Sequence, residues 1–229
     1  MNIACILLTI CSYLLGSVPV TYIVARWYKG IDIRQYGSGH VGAGNLRHTI
    51  SMKVALPVAL YDFFKGIIPV AVAEYALGMD TTQQAIVGIA VIIGHNWPIF
   101  LRFNGGRGLA ASMAVAFYLF QPWGILIFAA FAAFSLLLKS TPLPVIVGMA
   151  ALPLASWLLH QPMPVTIALL AIFLILVIRR LTAPRSAQTA TVSTRELLIN
   201  RLLFDRDIRD ANTWIYRKPP AAQAGNKPA

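Results

Sequence analysis

Charge is scarce in this sequence, and acidic charge is scarcest. Only 12% of the 229 residues are Asp, Glu, Lys or Arg, against about a quarter in a soluble domain. That shortage excludes an ordinary soluble fold with a charged surface. Asp and Glu number 8 against 19 Lys and Arg, leaving a net charge of +11. In a soluble chain such an excess would suggest nucleic acid. Here basic cytoplasmic loops explain it, and no nucleic-acid partner is expected. Cysteine is nearly absent. Cys5 and Cys11 both fall in the first apolar run and read as small apolar residues, not as a disulfide or metal pair. The first 25 residues hold no Lys or Arg. The positive region that opens a cleavable signal peptide is therefore missing, and the N-terminus is expected to stay as a first span.

What fills the chain is apolar. Hydrophobic residues make up 58%, in runs of 16 to 24 that recur from end to end. The expectation is an all-α, polytopic membrane protein. About seven transmembrane helices are expected, near 3–25, 54–77, 84–101, 109–121, 123–138, 142–159 and 164–178. Gln121-Pro122 is the reason to divide the fourth from the fifth. With the N-terminus outside, all but one of the 19 Lys and Arg fall on inside segments. The outside segments 78–83, 121–122 and 160–163 carry none. Translocated loops avoid Lys and Arg, so the C-terminus is expected in the cytoplasm. Residues 1–180 form the membrane domain. Residues 181–229 form a basic tail, with a short amphipathic helix near 194–204 on the anionic inner leaflet and a disordered end.

Two loops stand out on the inner side. "YGSGHVGAGNLRH" runs from Tyr36 to His48, and "FNGGRGLAAS" from Phe103 to Ser112. Glycine lets backbone approach a ligand and adopt positive φ, and successive N–H groups then form an anion-binding nest. Arg47 and Arg107 add charge-assisted, bidentate bonds to phosphate, and Ser38 adds a donor. The alternative is a pair of tight re-entrant turns whose arginines grip lipid headgroups. Asp62 and Lys65, in "YDFFKG", lie three apart on one face of the second span. They are either a structural ion pair or a lysine aimed at an anion. His95 is the titratable group best placed for a general base, or is merely hydrogen-bonded; His40 and His48 are equally open. Asp32 orients either Arg34 or Arg47. Gly16-Ser17-Val18-Pro19 either kinks the first span or only packs it.

The stretches "GSVPVTYIVARWYKGIDIRQYGSGHVGAGNLR", "YDFFKG" and "GHNWPIFLRFNGGRG" resemble the bacterial acyl-phosphate:glycerol-3-phosphate acyltransferases. The matches run in order across residues 16–108. The resemblance implies an inner-membrane enzyme with a cytoplasm-facing site. It implies transfer of an acyl group from acyl phosphate to the 1-hydroxyl of glycerol 3-phosphate, giving lysophosphatidic acid. No cofactor, metal or acyl-CoA is implied, and membrane lipid is a partner. The resemblance carries over Ser38 and Arg47, and His95 joins them in the catalytic set as the candidate base read from the residues, with His40 and His48 as the other histidines open to that place. For phosphate and substrate the resemblance carries over Lys65, Gly105, Gly106, Arg107 and Gly108, and Gly37, Gly39, Gly42 and Asn45 of the first glycine loop are expected to join them. Arg107 stands where the family has Lys, His40 where it has Asn, and Gly44 where it has Thr. Serine-rich residues of the fifth span are reduced to Ser135 and Ser140. The family's C-terminal His falls on Arg179 or Arg180 by one placement. By the other, set by "NRLLFDRD", it falls on Arg195, with Leu198 for Asn and Asp207 for Glu. Two alternatives follow: a non-catalytic binder of glycerol 3-phosphate or anionic lipid, or an acyltransferase with another phosphate-bearing acceptor.

Overall fold

The computed structural model describes residues 2–137, 142–184, 189 and 192–218, without the side chains of 131, 132, 135 and 136. The side chain of Ser135, together with Lys139, Ser140, Arg185 and residues 219–229, thus lies outside the described residues. The regular elements among the described residues are all helices. In chain order they form α1 (Ile3–Ser17), α2 (Val20–Lys29), α3 (Ala43–Thr49), α4 (Met52–Ala71), α5 (Thr81–Asn96) and α6 (Leu109–Leu119). Then come α7 (Trp123–Leu137), α8 (Pro142–Leu158), α9 (Met163–Leu181), α10 (Thr194–Phe204) and α11 (Ala211–Ile215). Short 3-10 turns sit at Ile33–Gln35 and Ile99–Leu101, and α4 runs on as a π turn through Val72–Ala76.

Four stretches are long and apolar enough to cross a membrane: Ile3–Lys29, Met52–Ala76, Thr81–Leu101 and Met163–Leu181. The helices Leu109–Leu119 and Pro142–Leu158 are apolar but shorter. Ile3, Leu7, Ile10, Leu14, Leu174 and Ile178 project outward, as lipid-facing side chains do.

Local chemistry explains the boundaries. The expected helix 3–25 is broken, because Pro19 has no N–H to continue α1; the chain restarts as α2 and stops at Gly30, which takes φ 67°. Ser51 accepts from Val54 N at 3.4 Å and starts α4. Asp80 and Gln83 form a reciprocal capping box that starts α5 three residues before the expected position. That helix ends at Asn96, not 101, because the residue before Pro98 is biased away from helix. The glycine-rich loop also holds an unexpected short helix, α3.

Small residues bring the helices together. A Cβ on Gly16 would collide with Val91 O, and one on Gly94 with Tyr13 O, so α1 and α5 touch backbone to backbone. Gly66 makes the same approach to Ala111, joining α4 to α6. Ile92, Val115, Phe120, Leu169 and Ile172 fill the interior between these helices.

Candidate functional site

The first glycine loop is organised by Asn45. Its buried amide Nδ2 faces the carbonyls of Ile33 (3.1 Å), Tyr36 (3.0 Å) and His40 (3.1 Å), and its Oδ1 accepts from Ser38 N (3.0 Å). Gly37 and Gly39 take φ of 54° and 74°, and a Cβ on Gly37 would strike Asn45 Oδ1. These two positions require glycine; Gly42 and Gly44 face open space. Asp32 holds Arg34 rather than Arg47: Arg34 Nη2 lies 2.6 Å from Asp32 Oδ2. That hydrogen bond holds the Asp32 carboxyl below the usual range. Arg47 and His48 lie exposed on α3.

The second cluster lies below the loop, between α1, α4 and α5. Lys65 Nζ is 2.7 Å from Asp62 Oδ1 and donates to Gly16 O at 3.3 Å. His95 Nδ1 lies 3.5 Å from the same Asp62 oxygen. All three side chains are at least nine-tenths buried. They open on a cleft of about 220 Å³ lined also by Ser17, Pro19, Val41 and Gly105. Lys65 is therefore both an ion-pair member and a cleft residue. Ionisable groups at such depth are retained where they have a partner and a cavity, and here they have both.

The second glycine loop forms the rim. Gly106 N donates to His95 O at 3.1 Å, and a Cβ on Gly106 would strike His95 Nε2 and Val41 O. Gly105 packs against His95 O and Pro98. Gly108, with φ 68°, opens α6 against the Asn96 side chain. The loop is gripped from α9. Arg179 Nε donates to Gly106 O at 2.8 Å, and Arg179 Nη2 to Gly105 O at 2.7 Å. Arg107 turns to the tail, donating to Arg179 O at 2.9 Å and pairing with Asp205 at 2.9 Å.

Two further spaces adjoin these loops. A pocket of about 450 Å³ is lined by Arg34, Ser38, His40, Asn104, Trp214 and Arg217. Burial pushes the His40 pKa well below its ordinary value, helped by Arg107, Arg179, Arg217 and Arg201. An apolar groove of about 400 Å³ runs past Leu109, Phe117, Phe128, Met149 and Leu152. A neighbouring space of about 350 Å³ shares Leu109, Val145 and Met149 with it and reaches Arg107 and Arg180. Among the described residues no group of three or more His, Cys, Asp or Glu is arranged to hold a metal ion.

A family model described as "Glycerol-3-phosphate acyltransferase" fits residues 6–186. The chain belongs to the glycerol-3-phosphate acyltransferase family. It is similar to Glycerol-3-phosphate acyltransferase 5 of Dehalococcoides mccartyi, with 41% identity over 99% of both chains. It is 42% identical to Glycerol-3-phosphate acyltransferase 4 of another strain of that species, over 93% of this chain and 94% of the other. Among solved structures it resembles PlsY (YgiH), an integral membrane glycerol 3-phosphate acyltransferase. The glycerol 3-phosphate form superposes with a TM-score of 0.75 at 29% identity, covering 91% of this chain and 96% of that one. The lysophosphatidic acid form gives 0.72 at 27% identity, over 93% and 98%.

The acyltransferase thus gathers Lys65, His95 and Gly105 at one cleft, with Gly106 packed behind His95, and Ser38 and Gly39 at the adjoining pocket. Neither space is lined by Arg47, Gly37, Gly42, Gly106, Arg107 or Gly108. Asn45 is a loop organiser. Of the two C-terminal placements, Arg195 and Leu198 are exposed on α10, whereas Arg179 and Arg180 are buried. The asparagine that α10 turns inward is Asn200, beside a buried Arg201–Asp207 pair at 2.7 Å. Sequence reasoning missed Asp62 as the partner of His95; its signal was an acid three residues before the span lysine. It also missed Arg179 as the clamp on the second loop, and Trp214 and Arg217 as pocket walls.

Proposed function

We propose that this acyltransferase moves an acyl group from acyl phosphate to the 1-hydroxyl of glycerol 3-phosphate, giving lysophosphatidic acid. The observation that carries this reading is the buried Asp62–Lys65–His95 cluster opening on a cleft beneath both glycine loops. Acyl phosphate is a mixed anhydride, so the protein's task is positioning and charge stabilisation. In the proposed step, the acceptor oxygen attacks the acyl carbonyl and its proton passes to His95. The carbonyl–oxygen bond to phosphate then breaks, and inorganic phosphate leaves. Asp62 orients His95, Lys65 faces the developing negative charge, and Ser38 donates to substrate from the first loop. Glycines 37, 39, 105, 106 and 108 let backbone approach the phosphates. Arg47 keeps a role from its exposed position on α3, attracting dianionic substrates to the mouth. The apolar groove from Phe128 to Leu109, ending at Arg107 and Arg180, suits the acyl chain of the donor.

The topology is part of the proposal: seven spans in an inner membrane, N-terminus outside, site and tail in the cytoplasm. The separation of Lys and Arg between loops supports it. So does the packing of α10 and residues 214–217 on the same end as both glycine loops. Leu198, Ile199, Leu202 and Leu203 are exposed on α10, which supports its lying against lipid. The non-histidine residues Arg195 and Leu198 favour one second reading, transfer to another phosphate-bearing acceptor. The test is lysophosphatidic acid formation in lipid by Ser38→Ala, Lys65→Met and His95→Gln. Each is expected to lower kcat about 100-fold or more. Arg47→Ala is expected to raise KM in a salt-dependent way. Wild-type rates in His95→Gln and Lys65→Met would remove the mechanism.

A further inference from the structure

The family model ends at residue 186, yet the chain beyond it returns to the first glycine loop. Gly37 N donates to Arg217 O at 2.9 Å, and a Cβ on Gly39 would meet Arg217 Nη2. A Cβ on Gly37 would come within 3.0 Å of Ile215 O. Two positive-φ glycines of the loop are therefore fitted against the tail itself. Asp210 fixes the approach by accepting from Thr213 N at 2.7 Å, which starts α11. Trp214 is 4% exposed and sits beneath Arg217, whose guanidinium carbon is 5.0 Å from the indole centroid.

The wall these residues make is unfinished on its inner side. Trp214 Nε1 and Arg217 Nε are buried and have no hydrogen-bond partner among the described residues. Buried donors are normally paired, and the exceptions mark places where a ligand or ion completes the set. Both residues line the pocket of about 450 Å³ that also receives Ser38 and Arg34. Asp207 lines it too, but its carboxylate is engaged by Arg201 Nε at 2.7 Å. Burial of His40 in the same wall disfavours its charged form. The donor-bearing side chains lining the space are thus the Arg217 guanidinium, the Trp214 indole, the Ser38 hydroxyl and the Asn104 amide, with the Arg34 guanidinium held by Asp32, which is chemistry for a phosphate dianion.

We propose that the C-terminal segment completes the acceptor site, with Arg217 and Trp214 binding the phosphate of glycerol 3-phosphate opposite Ser38. This rests on the acyl-transfer reading for the identity of the ligand. This contribution comes from beyond residue 186, where the family model ends, and the tail already rests on the loop through the bond from Gly37 N to Arg217 O.

The test uses the full chain in lipid. Acyl transfer is measured at varied glycerol 3-phosphate and, separately, at varied palmitoyl phosphate. Equilibrium binding of labelled glycerol 3-phosphate is measured without donor. The variants are Arg217→Gln, Arg217→Lys and Trp214→Phe, the last keeping a ring beneath Arg217 while deleting the N–H. Arg217→Gln is expected to raise KM and Kd for glycerol 3-phosphate about tenfold or more, the weight of one charge-assisted hydrogen bond. The KM for palmitoyl phosphate stays put, Arg217→Lys recovers part of the loss, and Trp214→Phe gives a smaller rise. Unchanged KM and Kd in Arg217→Gln overturn the proposal. So does a fall in kcat alone, or a rise confined to palmitoyl phosphate. If wild type binds glycerol 3-phosphate in an Arg217-dependent way but forms no product, the pocket stands and the acyl-transfer reading falls. If product forms and Arg217→Gln behaves as wild type, the reading stands and the pocket falls.

Discussion

Arg179 is the residue whose loss should most directly release the second glycine loop. It is 2% exposed, and its guanidinium makes two charge-assisted bonds to loop carbonyls, at 2.7 and 2.8 Å. Each such bond contributes about 1.5–3 kcal/mol, so Arg179→Ala removes roughly 3–6 kcal/mol of restraint. A further ~0.5–1 kcal/mol goes with the stacking on Trp97, whose centroid is 5.8 Å away. The bond from Arg107 survives, because it reaches the main-chain oxygen of Arg179. Arg179→Lys keeps the charge but reaches one carbonyl instead of two, so about half the restraint should remain. At ~1.4 kcal/mol per tenfold, the closed loop loses at least about a hundredfold in population with Ala and about tenfold with Lys. Amide hydrogen exchange of residues 103–108, in the full chain in lipid, reads this directly, because Gly106 N–H is bonded to His95 O. Exchange in α1 and α4 should not change. Equal loop protection in wild type, Ala and Lys would refute the reasoning.

Glycine replacements should divide sharply. Gly106→Ala drives a methyl into His95 and Val41 O and should abolish acyl transfer, whereas Gly44→Ala enters open space in α3 and should stabilise by up to ~1 kcal/mol; melting temperature and turnover of the two variants check this. Acid should loosen the inner end. Because the folded pKa of His40 is depressed, only the unfolded chain takes a proton as pH falls below 6.5, so this contribution is full above 6.5 and lost below it. His48 acts in the same direction and Asp32 only near 3.8 and below, so the flattening of the melting curve by His40→Gln from pH 7.5 to 5 isolates the effect.

Much of the fold was legible because it follows from local signals. Apolar run length, Gln121-Pro122 and the Ser193 cap mark helices one at a time, whereas the break at Pro19 and the caps at Ser51 and Asp80 moved boundaries from their expected places. The glycine loops were legible as backbone chemistry, and Asp62 and Lys65 as buried charge. What escaped depends on distant partners. Nothing near Asn45 in sequence says that three carbonyls from residues 33, 36 and 40 will converge on it. The spacing of Arg179 from Gly105 and of Arg217 from Gly37 is set by helix packing, which leaves no periodic trace. Composition also misled at α3, where glycines read as loop although Leu46 buries against Ile33 and Val58 in one cluster.

The most direct test of the central claim is product formation by the purified protein in lipid from labelled glycerol 3-phosphate, with palmitoyl phosphate and palmitoyl-CoA supplied in parallel. The account predicts lysophosphatidic acid from palmitoyl phosphate and none from palmitoyl-CoA. No lysophosphatidic acid from palmitoyl phosphate would contradict it.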